Sequence, residues 1–252
     1  MWQKLWHKIN NSVTGGALII AFFSFLAKIF ALLREKLIAH NFAASEMADV
    51  YYSAFRLPDL IFNTLVLGAL TSAFIPVFQK VWFKNKEDGL KLSNSVLNFF
   101  LLFITILVVI AYIFTPQIMP LITPGFNDGQ MTDVIKLSRV MLISVLFFVV
   151  SNLIGGILNS LKRFFSFSLA ASFYNIGIII GIVVFYPRFG LVGLAYGVLL
   201  GAIMHLLIQL PEVHKNGWHY KFILKFDKNL KRILKLMLPR TIGLAAGQIN
   251  LI

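Results

Sequence analysis

LSNSVLNFFLLFITILVVIAYIF, residues Leu92 to Phe114, carries no charged side chain. About 20 mostly apolar residues in helical form cross the hydrocarbon of a bilayer. In lipid a backbone polar group finds no water, so such a stretch reads as a membrane helix. The same pattern repeats on either side of it. Before it lie a span from Val13 to Leu33, interrupted only by Lys28, and one from Asp49 through Pro58 to Trp82. After it come Val134 to Leu161, Ser166 to Tyr186 and Gly190 to Leu210. A seventh apolar stretch begins near Ile233 and is still running at Ile252. Pro58 is expected to kink its span rather than end it, because neighbouring helices can satisfy the freed carbonyl.

Composition agrees. The 252 residues are 58% hydrophobic and 13% charged, about half the charge a water-facing surface needs. With no Cys, a disulfide framework, a thiolate metal site and a cysteine nucleophile are excluded. The fold class that follows is an all-α integral membrane protein, a bundle of six transmembrane helices plus the start of a seventh. Residues 1–211 form the six-helix unit, 212–232 a basic cytoplasmic interfacial loop, and 233–252 the truncated start of the seventh helix. The first span has the basic start of a signal peptide (Lys4, Lys8) and small residues at Ala43 and Ala44. Its apolar run is too long for that, and Arg34, Glu35 and Lys36 intervene, so it reads as a retained helix.

The net charge is +13, and its distribution sets the orientation. Lys4 and Lys8 precede span one; Lys80, Lys84, Lys86 and Lys91 separate spans two and three; Lys162 and Arg163 separate four and five; seven cations from Lys215 to Lys235 follow span six. The intervening loops are poor in cations, with none from Thr115 to Thr132. This alternation places the N-terminus and the long basic loop in the cytoplasm. The stretch Trp218 to Lys235 interleaves aromatics with lysines. Its expected partner is not nucleic acid but anionic membrane lipids, with Trp218, Tyr220, Phe222 and Phe226 at the headgroups.

Gly193, Gly197 and Gly201 recur every fourth residue in span six, as do Gly177 and Gly181 in span five, and Gly155 and Gly156 are adjacent in span four. Small residues at that period let helix backbones approach closely in lipid. Asn152, Asn159 and Asn175 are expected to bond across helices. No H-E-x-x-H, G-x-S-x-G or P-loop pattern occurs, and His205 reads as an interfacial residue standing alone. No enzymatic activity, cofactor or metal is expected.

Ionisable residues inside spans are costly in hydrocarbon and therefore informative. They concentrate in the first two helices: Lys28, with Arg34, Glu35 and Lys36 closing span one, then Asp49, Arg56 and Asn63 at seven-residue spacing in span two. On a continuous α-helix that spacing puts all three on one face, with Tyr52 and Ser53 beside them. Bland readings stand beside the functional one. Lys28 could snorkel to the interface, Arg34 and Lys36 could be anchors, and Asp49 and Arg56 could be an ion pair. Taken together, the stripes point to a polar cavity with excess positive charge, suited to a phosphate or pyrophosphate group.

The stretch ALLREKLIAHNFAASEMADVYYSAFRLPDLIFNTLVLGALTSAFIPVF, Ala31 to Phe78, resembles the MurJ/MviN family of lipid II flippases, within the wider superfamily of multidrug, oligosaccharidyl-lipid and polysaccharide exporters. The matching features are Arg34-Glu35 at the end of helix one, Phe42 to Ser45, Asp49, Ala54-Phe55-Arg56-Leu57-Pro58 and Ala73-Phe74-Ile75-Pro76. GGILNSLKRF (Gly155 to Phe164) and LPRTIGLAAGQINLI (Leu238 to Ile252) resemble the family in the same order. The resemblance implies two six-helix lobes around a central cavity. These move an undecaprenyl-pyrophosphate-linked peptidoglycan precursor to the outer leaflet of the bacterial plasma membrane by alternating access, without ATP. It implies that Lys28, Arg34 and Arg56 supply the cationic contacts, with Asp49 opening helix two. Where many members carry an adjacent Arg-Arg and then Glu-Gly, this chain reads Phe62-Asn63 and Leu67-Gly68. The sequence stops where a second lobe should begin. It therefore reads as a fragment or as a half-protein needing a missing C-terminal lobe. Transport of another polyprenyl-linked glycan stays open as an alternative.

Overall fold

A computed structural model describes residues 13–42 and 45–249. Lys4, Lys8, Ala43, Ala44 and the last three residues lie outside the described residues. The described chain runs α1 (Val13–Phe42), α2 (Glu46–Ala54), α3 (Arg56–Ile61), a π-helical segment (Phe62–Leu70) and α4 (Thr71–Lys84). It continues through α5 (Lys86–Ile122), α6 (Asp128–Ser160), α7 (Phe164–Ile180), a second π-helical segment (Gly181–Phe185) and α8 (Tyr186–Phe189). Last come α9 (Leu191–Leu207), α10 (Leu210–Lys215) and α11 (Lys228–Ile249).

Among the described residues, five helices are long and apolar enough to cross a membrane. The span expected from Asp49 to Trp82 is not one of them, because it is broken into α2, α3, the π-helical segment and α4. Pro58 supplies a reason: lacking an N–H, it cannot bond the carbonyl of Ala54, the last residue of α2. The chain turns at Phe55 and starts again as α3. The seven-residue stripe of Asp49, Arg56 and Asn63 assumed one unbroken α-helix, and that assumption fails here. Asn63 sits in π-helical backbone, whose hydrogen bonds run one residue longer than those of an α-helix.

Helix α7 lies between α1 and α9, and α6 packs against both α5 and α9. The seam of α9 with α7 and the second π-helical segment is where the spaced glycines meet. A Cβ on Gly181 would lie 2.5 Å from the Cα of Gly197. One on Gly177 would overlap Gly201, and one on Gly193 would overlap the carbonyl of Phe185. The period-four reading is correct, and it is backbone on backbone.

Two ends of the bundle differ. One, called here the basic end, carries the Lys80–Lys91 turn, Lys162–Arg163 and the 215–235 segment. There the sequence reading needs correction at Trp218, which is buried at 2% exposure and donates its indole N–H to Ser93 at 2.9 Å. Residues 218–226 form an extended strap along α5, held by buried polar side chains. Asn94 accepts the Lys221 N–H at 2.8 Å and donates to the His219 carbonyl at 3.0 Å. Ser95 both accepts from and donates to the Lys225 backbone, at 2.8 and 2.7 Å. Asn98 donates to the carbonyls of Lys221 and Ile223 and accepts from the Tyr220 hydroxyl. Extended backbone has no internal hydrogen bonds, so these side chains complete its pairing. Tyr220, Phe222 and Phe226 remain exposed.

Replacing Asn94 and Asn98 together with leucine is expected to release the strap. Five hydrogen bonds to the strap are lost, and at roughly 1 kcal/mol for each, opening should become easier by about 5 kcal/mol. Tryptic cleavage after Lys221 and Lys225 should then accelerate at least tenfold while the α5–α6 packing survives. Unchanged cleavage kinetics would show that the strap is held by something else.

Candidate functional site

The polar residues of α1 and α2 meet α7 at Asn175. Arg34 donates from Nε and Nη2 to Oε1 of Glu35, at 3.1 and 2.5 Å, and from Nη1 to Oδ1 of Asn175 at 3.1 Å. The other carboxylate oxygen of Glu35 accepts from the Tyr52 hydroxyl at 2.5 Å. Asn175 is itself held by donation to the Ala171 carbonyl. The result is a continuous chain, Tyr52–Glu35–Arg34–Asn175, joining three helices. Of the three asparagines expected to bond across helices, Asn175 does so. Asn152 instead donates to Phe148 on its own helix.

Arg56 occupies a different place. Its Nη1 donates to the carbonyl of Ile122 at 2.6 Å, at the last residue of α5. A helix ends with carbonyls that have no intrahelical partner and a partial negative charge, so a guanidinium is favoured there. The Asp49–Arg56 ion pair considered from the sequence is not formed. Among the described residues, Lys28, Asp49 and Asn63 make no side-chain hydrogen bond or ion pair. Lys28 and Asp49 are exposed and Asn63 is half-buried. The candidate residues thus fall into one bonded cluster at Arg34 and a looser set around it.

Several groups escaped the sequence reading. Arg139 on α6 donates to the Tyr112 carbonyl at 3.1 Å and lies 5.0 Å from the Tyr112 ring centroid. Pro116, four residues after Tyr112, has no N–H for that carbonyl. The Pro–Arg pairing was the available signal. Asp59 lines a narrow aromatic cleft with Phe55, Phe148 and Tyr174. Its volume, about 20 Å³, is close to that of a single water. Including Asp59 and Glu46, residues 28–59 hold four cations and four carboxylates. Over that stretch the cations are matched by carboxylates in number. His205 is also not alone: its Nδ1 lies 2.6 Å from the Ser151 hydroxyl, which Gln209 also contacts at 2.6 Å.

The sequence model of the family described as "Lipid II flippase MurJ" matches residues 38–252. A probable lipid II flippase MurJ of Rickettsia prowazekii is 32% identical over 93% of this chain and 47% of its own length. The lipid II flippase MurJ of Burkholderia cenocepacia is 28% identical over 93% and 48%. The chain spans about half the length of the curated relatives it matches. A solved lipid II flippase MurJ in an inward closed conformation superposes with a TM-score of 0.76 at 29% identity, covering 92% of this chain and 49% of that one. An outward-facing multidrug resistance MATE family transporter superposes at 0.70 with 18% identity, covering 96% and 55%, which is a likeness of fold alone. The apolar helices, the glycine seam and the family match through residues 38–252 together make this a multi-pass membrane protein that belongs to the lipid II flippase MurJ family.

Proposed function

We propose that the chain is one six-helix lobe of a lipid II flippase in the bacterial plasma membrane. In this reading residues 1–211 are the lobe, with the broken segment from Glu46 to Lys84 counted as a span. Residues 212–232 are a cytoplasmic loop meeting anionic membrane lipids, and 233–252 begin the helix that leads to the second lobe. The N-terminus and the basic end face the cytoplasm, following the distribution of lysine and arginine. The carried substrate is the undecaprenyl-pyrophosphate-linked peptidoglycan precursor, moved outward for cell wall synthesis. The observation that carries this reading is the family match through residues 38–252, supported by the superposition on a solved flippase.

Within the lobe, Arg34 and Arg56 are the pyrophosphate ligands, Lys28 adds charge, Asn63 offers an amide, and Asp49 orients a basic group. Both arginines have protein acceptors in this structure. Binding is therefore an exchange: phosphate oxygens replace the Glu35 carboxylate and the Ile122 carbonyl. Such an exchange suits a carrier, which must bind and release.

The test is growth rescue of a strain depleted of its lipid II flippase. The chain is supplied alone, and also joined after Ile252 to the second half of a relative. Rescue by the joined form alone is expected. Rescue by neither, with both forms present in the membrane, removes the lipid II assignment. Rescue of a strain lacking an exporter of another polyprenyl-linked glycan would replace the substrate. Rescue by the chain alone would remove the need for a second lobe.

A further inference from the structure

At the basic end a cavity of about 530 Å³ opens between α4, α5, the strap and α11. That volume falls within the usual range for small-ligand sites, about 300–1,000 Å³. Cations reach it from every wall: Lys80 and Lys84 from α4, Lys91 from α5, Lys225 from the strap and Arg232 from α11. Two carboxylates share it, against five cations. Asp227 accepts the N–H groups of Asn229 and Leu230, capping α11. Asp88 stands in the first turn of α5. Lys91 is paired with Glu87 at 2.8 Å. Lys80, Lys84, Lys225 and Arg232 have no ion-pair partner among the described residues.

Lys80 and Lys84 are four residues apart on one helix, where like charges repel. These four unpaired cations are exposed, and gathered around one hollow they make a field in which an anion is favoured. Arginine and lysine together match phosphate, the guanidinium bidentately and the ammonium as a point charge. Beside the cations the wall is apolar, with Val77, Val81 and Leu236. We infer that this cavity is a binding site for a phosphate group, which ties α11 to α4 and α5. The phosphate is carried by a lipid headgroup or by a soluble phosphate-bearing anion. The inference concerns residues apart from the Arg34 cluster and is read by binding alone, so it stands or falls independently of the transport proposal.

Two titrations of the purified full chain test it. Inorganic pyrophosphate is titrated calorimetrically into the protein in phosphatidylcholine nanodiscs, and phosphatidylglycerol is counted on the protein by native mass spectrometry. Saturable binding of either that the cavity substitutions below weaken supports the site and identifies the source of the phosphate. Binding of neither, or binding that those substitutions leave unchanged and that therefore belongs to the Arg34 cluster, overturns it. Lys84→Gln with Arg232→Gln should weaken binding about tenfold or more, the loss expected for one charge-assisted hydrogen bond. Lys80→Gln with Lys84→Gln provides a second pair that leaves α11 untouched. Lys215→Gln, on the same end but outside the cavity, should change nothing. Equal losses in all three variants would mean a diffuse surface field and would overturn the site.

Discussion

Gly197→Leu should prevent the lobe from assembling. The Gly197 and Gly181 backbones are so close that a Cβ on either would sit 2.5 Å from the other's Cα. No rotamer change relieves a clash with backbone, so α7 and α9 must separate along their whole seam. Overpacking in a well-packed interior costs about 1–3 kcal/mol when side chains can give way, and here they cannot. The expected result is loss of the monodisperse peak in detergent chromatography and a collapsed melting transition. Gly243→Ala is the internal comparison: nothing lies within 4 Å of its added Cβ. That substitution should be neutral or stabilising by up to about 1 kcal/mol through helix propensity. Equal behaviour of the two variants would mean that the seam does not hold the bundle.

Arg34→Ala, introduced into a version joined to a second lobe, should abolish growth rescue while the protein still reaches the membrane. The change also leaves the acceptor of Asn175 unpaired, a cost of about 1–3 kcal/mol for a buried polar group, so membrane abundance must be measured alongside. Arg34→Lys retains charge and loses the fork that grips Glu35 and Asn175 at once. It should rescue poorly. Glu35→Gln has the opposite expected sign for binding. With the competing carboxylate gone, Arg34 is released to the phosphate, and affinity for the lipid-linked precursor should rise by about tenfold. Normal growth with Arg34→Ala would remove the assignment of this residue.

Much of the architecture was legible because lipid permits few solutions. The apolar runs, the glycine period and the alternation of lysine-rich loops each state one physical constraint. The second span was not legible in the same way. Its pattern is that of one helix, and the break depends on where the carbonyl of Ala54 finds a partner after Pro58 removes its donor. Trp218 was misplaced for a related reason. An aromatic among lysines is the mark of an interface. Whether it turns inward was set by Ser93, Asn94, Ser95 and Asn98, more than a hundred residues earlier. At the candidate site, the identity of the charged residues was readable and their pairing was not. Arg34 and Glu35 looked like a helix end, and only the fold brings Tyr52 and Asn175 to them.

The bond between Arg34 and Asn175 spans 141 positions of sequence, and that distance is also a time. At roughly 5–20 residues per second, the ribosome delivers Asn175 about 7–30 s after Arg34. Through that interval α1, few of whose residues are buried even in the finished bundle, stands in the bilayer without the helix it will pack against. Its arginine does not wait uncompensated, since Glu35 emerges from the ribosome next. Adjacent opposite charges let the first helix insert at once and stay inserted, and the same pair is inherited by the assembled lobe. Separating that pair by even a few positions would leave the finished contacts nearly intact on paper. The nascent chain, however, would lose its neutraliser, and the penalty would fall on yield rather than on the stability of whatever molecules are completed.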